Sequence, residues 1–348
     1  ARWRPQAPPV KKTRILALVH EHLVPPEDTT GIDVTEAECK MEYDVTETLR
    51  EQGHELQAVG VHDDLAPIRH SIGSVKPKIV FNLMEAFHGV TTFDQNVVSY
   101  LELLRMPYTG CNPRGLILAR DKALSKKLLA YHRIPVPEFA VVRRGQKPAL
   151  TRKLQFPLIV KSLFFEASVG ISQASVVEAE DQLVRRVQFI HEHLGTAAIV
   201  EQFIDGRELY VGVMGNERLQ VFPVWEMSFA RMPENRWKIA TERVKWSTKY
   251  QVKHGIMTDA AELAEGGRER VQHLAKRVYR ALDLSGYARI DLRLGDDGRV
   301  FVLEANPNPN LAYGEDFTES AEKARVAYER LLERIVTLGL QWEPERMG

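Results

Sequence analysis

Residues 287–307 (YARIDLRLGDDGRVFVLEANP) constrain this chain more than any other stretch. Two apolar-rich runs, 287–294 and 299–305, flank Asp296-Asp297-Gly298, a turn sequence that favours a tight antiparallel hairpin. Side chains of a strand alternate between its faces. Arg289, Asp291 and Arg293 therefore share one face, and Glu304 and Asn306 share a face of the partner strand. A hairpin sets those faces side by side. Two carboxylates and an amide oxygen are hard ligands, and magnesium sites combine one or two carboxylates with substrate phosphates and water. Asp291, Glu304 and Asn306 fit that recipe, with Arg289 available for a developing anion. Pro307 and Pro309 would then stiffen the backbone that follows the ligands. On spacing alone, the same charges fit solvated cross-strand salt bridges equally well.

The remainder of the chain alternates strand and helix signals. RILALV (14–19), ELQAVGV (55–61) and KIVFNL (78–83) have the apolar character of buried strands, and 35–53 and 94–106 have helical periodicity. That β-α-β-β-α order predicts a parallel-sheet α/β domain over residues 13–115. A helix over 121–133 introduces a strand-rich stretch: 138–144, 156–162, 171–177, a helix over 181–195, and 198–204. Residues 208–227 predict a hairpin turning at Gly215-Asn216. A charged, Trp-containing segment (228–257), a helix over 267–284, the hairpin above and a single helix over 318–340 complete the chain. Residues 1–12, basic and Pro-rich, predict a flexible arm.

Two further segments carry chemistry. In PLIVKSLFFEASVGIS (157–172) a strand delivers Lys161, and the following loop ends in Ser168-Val169-Gly170. A strand-end lysine facing small residues with free N–H groups can hold polyphosphate without a Walker motif, although ordinary hairpins share this pattern. No GxxxxGK[ST] occurs, which argues against a P-loop enzyme. In VEQFIDGREL (200–209), Glu201 and Glu208 flank Phe203-Ile204 and an Asp-Gly turn. A strand edge there could pair with an adenine while a carboxylate takes ribose hydroxyls; two surface glutamates around a turn are the plainer alternative.

Composition limits the function classes. Basic and acidic residues balance at 47 each, so there is no bulk attraction to nucleic acid or anionic membrane. Two cysteines, Cys39 and Cys111, are too few for a disulfide scaffold, and no apolar run approaches a membrane span. These features predict a cytoplasmic protein. At roughly 150 residues per domain, 348 residues suggest two or three domains.

The three segments together, in this order, resemble the ATP-grasp superfamily, and within it the D-alanine–D-alanine ligase group. The resemblance spans about residues 13–340. It implies an ATP-grasp fold, α/β with α+β lobes: a Rossmann-like pre-ATP-grasp domain (13–115), a central lobe (116–197) and a C-terminal lobe carrying the metal site (198–348). It also implies ATP-dependent joining of a carboxylate to an amine through an acyl-phosphate, with a carboxylate kinase on the same fold and a non-catalytic ATP-binding module as the alternatives. The cofactors would be ATP and Mg2+, with Mn2+ as a substitute; the partners would be small-molecule carboxylates and amines, with a homodimer left open. Asp291, Glu304 and Asn306 would be the metal ligands, and Arg289 would stabilise the tetrahedral intermediate. Lys122 and Lys161 match the family's phosphate lysines, and Glu166–Gly170, including Ser168 and Val169, its mobile loop. Glu201, Phe203 and Ile204 match the adenine hinge, Glu208 the ribose carboxylate, and Leu303 the floor of the nucleotide site. Lys245-Trp246 resembles the Lys-Tyr of the closing loop. His88-Gly89 and MPYTGCNP (106–113) match the family's His-Gly and PYTG motifs, giving His88 a catalytic role.

Three departures concern the substrate end. The ligases carry a Gly-Gly loop after the first strand, then a glutamate for the first alanine; here the loop is HEHLVPPEDTTG (20–31). After the metal asparagine they have a Ser-Leu that grips a substrate carboxylate; here Tyr313, Glu315 and Asp316 occupy that region. Tryptophan replaces the loop tyrosine. Acids in that region would repel a substrate carboxylate and favour an amino group, which points away from two D-alanines as the substrate pair.

Overall fold

The computed structural model describes residues 11–149, 151–165 and 168–344, arranged around three sheets. Most of the expected arm (1–12) and Glu166 and Ala167 of the expected loop lie outside the described residues. The first sheet is parallel, in the order β2-β1-β3, from β1 (Arg14–His20), β2 (Glu55–Val61) and β3 (Ile79–Asn82). Ile15 to Val19 are all fully buried, as expected of a strand covered on both faces by helices. The covering helices are α1 (Lys40–Glu51), α2 (Ala66–Val75) and α3 (Asp94–Leu103).

Two short helices lead out of this unit. In α4 (Pro113–Arg120), Pro113 takes the first turn and the Asn112 side chain accepts from the Gly115 N–H at 2.9 Å. In α5 (Lys122–Tyr131), Asp121 caps two N–H groups, those of Ala123 and Leu124.

The second sheet is antiparallel, in the order β4-β7-β5-β6: β4 (Phe139–Val142), β5 (Leu158–Ser162), β6 (Val176–Val177) and β7 (Ala198–Gln202), backed by α6 (Glu180–His193). It has its own core of Val142, Leu158, Val160, Leu183, Val187 and Ile190. The third sheet, also antiparallel, has the order β10-β9-β8-β11-β12. Its strands are β8 (Arg207–Met214), β9 (Gln220–Phe229), β10 (Ile256–Ala260), β11 (Tyr287–Leu294) and β12 (Val300–Pro307). Around it lie α7 (Glu242–Trp246), α8 (Thr248–His254), α9 (Gly267–Ala281), α10 (Asp316–Lys323) and α11 (Tyr328–Gln341). The largest core runs from β1 and α3 through α4 and α9 into β8, β11 and β12, so the first and third sheets are packed as one body.

Several expectations need correction. The first domain has a helix between β2 and β3, absent from the expected order; its charged 62–65 lead-in hides the short apolar face of α2. Residues 113–120 form α4, and 256–260 form an edge strand rather than part of a loop. Residues 171–177 are mostly a turn: Gln173–Ser175 is a 3-10 turn and only Val176–Val177 pair as a strand. The expected helix 35–53 begins at Lys40. The expected helix 318–340 is two helices, broken where Arg325 adopts a left-handed φ of 62°. Among the described residues, no helix is long and apolar enough to cross a membrane.

The asparagine-rich segment after β12 joins the first and third bodies. Asn308, at φ 53°, accepts the Cys111 N–H through Oδ1 at 2.7 Å, and Asn310 accepts the Ala312 N–H at 2.8 Å. Gly286 is required at the same junction, because a Cβ there would lie 2.4 Å from the Gly110 carbonyl oxygen. The chain therefore leaves β12 through a turn held by its own amides, and the carboxylates just before it are fixed in place.

Candidate active site

Strand β11 pairs with β12 so that Arg289 faces Asn306 and Asp291 faces Glu304. The register shifts immediately after Asp291, leaving Leu303 as an extra residue on β12. Such a bulge twists and re-aims its strand, and here it brings Leu303 and Glu304 together into the wall of one cleft. The Arg289 guanidinium donates to both Asp291 oxygens, at 2.8 and 2.9 Å, and lies 3.9 Å from Asp316 and 4.8 Å from the centre of the Tyr210 ring. Burial raises the Asp291 pKa and Arg289 opposes it. The Arg289 pKa is itself raised, since Asp291 and Asp316 outweigh the cost of its burial. The Asn306 amide nitrogen is buried without a hydrogen-bond partner among the described residues.

Three lysines meet this hairpin from the central lobe. Lys161 on β5 donates to Glu201 on β7 at 3.1 Å, and Lys126 on α5 sits 3.3 Å from the other oxygen of the same carboxylate. Lys126 also donates to the Leu303 carbonyl, which the bulge turns toward it. Lys122 donates to the Phe165 carbonyl at 2.7 Å and lies 3.6 Å from Glu304. Burial works against the charge on Glu304, yet Lys122, Lys161, Lys245 and Lys126 together bring its pKa down to about 2. Burial likewise opposes the Glu201 charge, and Lys126 and Lys161 hold its pKa low. Burial also depresses the pKa of Lys122 and Lys126.

The cleft lies between the second and third sheets. Its apolar walls are Ile159, Ile171, Phe203, Ile204, Ile239 and Leu303, and its polar end holds Lys161, Lys245, Asp291 and Glu304. Glu208 accepts from the Tyr210 hydroxyl (2.9 Å) and from Arg293 (2.9 Å). A flat apolar slot that opens onto clustered lysines and two carboxylates can take an aromatic base at one end and a polyphosphate at the other.

Two loops close over the slot. Ser168 Oγ donates to the Ala240 carbonyl at 2.7 Å, and the Gly170 N–H reaches Glu242 at 3.3 Å. The Glu242 N–H donates to the Ile171 carbonyl (3.1 Å), and Gln173 and Trp237 exchange two hydrogen bonds, at 2.9 and 2.8 Å. With the loops joined, about 60 Å³ of free space remains, room for a few water molecules. A nucleotide would enter only after these contacts part.

Ten of the sixteen residues singled out from sequence line this one cleft: Lys161, Ser168, Glu201, Phe203, Ile204, Glu208, Lys245, Asp291, Leu303 and Glu304. Lys122 and Arg289 reach it through ion pairs, and Asn306 faces Arg289 across the hairpin. Gly170 belongs to the joined loops, and Val169 is exposed beside it. His88 stands apart from the cleft lining, exposed on the first domain 3.7 Å from Asp63.

Sequence reasoning missed Lys126 and Glu42, and placed Arg293 on the hairpin face without giving it a role. Lys126 and Glu42 have the spacing of ordinary polar helix positions, although LARDKALSKK places Lys126 one turn after Lys122 and so on the same face. Glu42 on α1 is only 1% exposed, and its Oε1 has no hydrogen-bond partner among the described residues. Burial, with the Glu85 carboxylate adding to it, pushes Glu42 up to about 7. At the rim of the first sheet, His20 and His62 nitrogens lie 3.2 Å apart. Among the described residues, no group of three His, Cys, Asp or Glu side chains is arranged to hold a metal.

Two antiparallel sheets that grip a slot lined by lysines and a carboxylate pair, behind a parallel N-terminal sheet, define the ATP-grasp class. The family model "D-ala D-ala ligase C-terminus" matches residues 128–337. A D-alanine–D-alanine ligase of Desulfotalea psychrophila is 31% identical over 264 residues, covering 75% of this chain and 79% of its own. The vancomycin B-type resistance protein VanB of Enterococcus faecalis is 29% identical, covering 73% and 71%. A D-alanine–D-alanine ligase from Bacillus anthracis, solved with ATP, shares the fold at a TM-score of 0.72 and 21% identity, covering 94% of this chain and 98% of its own. The chain belongs to the D-alanine–D-alanine ligase family, ATP-dependent enzymes that form C–N bonds.

Proposed function

We propose that this protein joins a carboxylate to an amine through an acyl-phosphate, releasing ADP and phosphate, with a substrate pair other than two D-alanines. One observation carries the chemistry: Lys122, Lys126, Lys161, Asp291 and Glu304, from two lobes, converge on a single slot. A carboxylate is a poor electrophile because its leaving group would be oxide. Transfer of the γ-phosphoryl group converts that oxygen into phosphate, which a neutral amine can displace. Catalysis then rests on positioning and charge neutralisation, for which Lys161, Lys122, Lys245 and Arg289 are placed.

Asp291, Glu304 and the Asn306 amide oxygen fit a divalent cation of the Mg2+ type. They are hard oxygen donors on adjacent strands, and the unpaired Asn306 nitrogen shows that its amide is not committed elsewhere. Such an ion, when bound, would neutralise charge on the nucleotide phosphates. Glu208, beside Phe203 and Ile204, is suited to ribose hydroxyls. The two loops, closing again over bound nucleotide, would exclude water, which would otherwise hydrolyse an acyl-phosphate. In this account residues 13–115 form the pre-ATP-grasp domain, 116–197 the central lobe and 198–348 the lobe carrying the cation site.

The substrate reading rests on the start of α10. Glu315 and Asp316 stand at the N-terminus of α10, a place that favours an anion, and put the chain's own negative charge there, with Asp316 3.9 Å from Arg289. Burial and the neighbouring Asp316 raise the Glu315 pKa, a strain that a cationic group would relieve. Of the acids in the first loop, Glu21 lies 3.7 Å from His62 and Asp28 holds the Thr30 N–H, so they are engaged locally. An amine bearing a second amino or cationic group therefore suits this end. D-Alanine alone is expected to give little or no ADP release, and Glu315→Ser to shift the preference toward amines bearing a carboxylate. A screen of amine-dependent ADP release over amino acids and dipeptides of both chiralities, in pairs, tests this. D-alanyl-D-alanine formation at an ordinary enzymatic rate, roughly 1–10³ per second, would refute the substrate reading.

Lys161→Ala is expected to weaken ATP binding by about 1.5–3 kcal/mol, the scale of a hydrogen bond to a charged group. Calorimetric titration of ATP measures it. An unchanged affinity would mean that Lys161 serves only to hold Glu201.

A further inference from the structure

A second cavity, about 450 Å³, lies between β6 and α6 and shares no lining residue with the nucleotide slot. Its lining combines apolar side chains, Ala174, Val176, Val177 and Phe189, with Gln182, Arg185, Arg186 and one carboxylate, Glu178. Arg186 is 7% exposed and has no carboxylate partner among the described residues. Its Nη2 donates to the Gly170 carbonyl and, at 2.8 Å, to Ser175 Oγ. Its Nε is buried without an acceptor, and its Cζ lies 4.4 Å from the centre of the Phe189 ring. By contrast Arg185, at the same rim, is neutralised by Asp181 at 2.6 Å. A buried charge without a counter-ion is costly. Holding one carbonyl and one hydroxyl would need only a neutral donor.

We propose that this cavity binds an organic anion, a carboxylate or phosphate ester with an apolar body, through Arg186. Anion and Gly170 carbonyl then compete for one guanidinium, so the bound anion loosens the 168–173 loop. Gly170 also meets Glu242 in the contacts that close the slot, so the cavity is an effector site acting on nucleotide entry. That last link rests on the ligase reading above. Anion binding itself is measured without nucleotide, so its failure is separate from a failure of that reading.

The test titrates the full chain calorimetrically with 4-phenylbutyrate, phenyl phosphate and neutral 4-phenyl-1-butanol, and follows hydrogen exchange across 168–173. The two anions distinguish a carboxylate from a phosphate ligand. At least one should bind one-to-one and about tenfold or more tighter than the alcohol, as expected for a charge-assisted contact. Arg186→Gln should remove that advantage. Ala174→Trp, at an exposed rim position that leaves Arg186 and the core intact, should block binding. The bound anion should speed exchange at Gly170 and Ile171. Neither anion surpassing the alcohol, or binding that survives both substitutions, would overturn the site; binding with unchanged exchange would overturn its link to the loop.

Discussion

Glu304→Gln is expected to lower ADP formation at least about a thousandfold, at the upper end of what one electrostatic contact at a reacting centre supplies. The reason is geometric. Glu304 faces Asp291 across the hairpin, sits on the bulge that aims it into the slot, and is surrounded by four lysines that keep it charged. Glutamine keeps the shape and loses the charge. Because Lys122 loses an ion partner at 3.6 Å, the melting temperature should also fall by a few degrees. The same residue gives a pH signature. Its folded pKa, about 2, lies below the ordinary value of 4.5. Its contribution to stability is therefore complete above about pH 4.5 and is lost as pH falls toward 2. Acid unfolding curves of the parent should steepen over that window relative to Glu304→Gln. Turnover within tenfold of the parent, with superimposable acid curves, would remove Glu304 from the cation site.

Glu201→Ala is expected to destabilise the protein by about 3–5 kcal/mol, the cost of stripping one side from a buried ion pair. Glu201 is 1% exposed and serves Lys126 and Lys161 at once, at 3.3 and 3.1 Å. Its removal leaves two buried ammonium groups without their ion-pair partner, with Glu304 the remaining, more distant counter-charge. Glu201→Gln, which keeps the volume and some hydrogen bonding, should cost less than alanine. Denaturant unfolding of both variants measures the difference. A loss below about 1 kcal/mol for alanine would mean that water or Glu304 compensates the lysines, and that Glu201 is not their anchor.

The hairpin was legible in the sequence because three independent signals coincide there: a DDG turn, period-two alternation, and prolines that mark the end of the second strand. They fixed which carboxylates share a face, and Asp291 does face Glu304. The bulge at Leu303 was not legible, since one extra apolar residue in an apolar strand leaves no mark on the pattern. Lys126 and Glu42 were hidden for another reason. A polar residue in an amphipathic helix usually faces solvent, and only the packing of α5 and α1 against neighbouring lobes turns these two inward. Glu201 was placed at the adenine hinge by resemblance and does line the slot; its pairing with two lysines comes from tertiary packing, which the local pattern does not carry. The break between α10 and α11 follows the same logic. Residues 318–340 keep an apolar periodicity throughout, and the left-handed turn at Arg325 lets both halves bury their faces.

The acyl-phosphate account is tested most directly by following an 18O label from the carboxylate substrate during amine-dependent turnover. A paired screen of carboxylates and amines, with ADP release as the readout, first identifies a productive pair. The account predicts ADP formation only when both substrates are present, with one labelled oxygen recovered in the released phosphate. ADP formation that ignores the amine, or phosphate free of label, would contradict it.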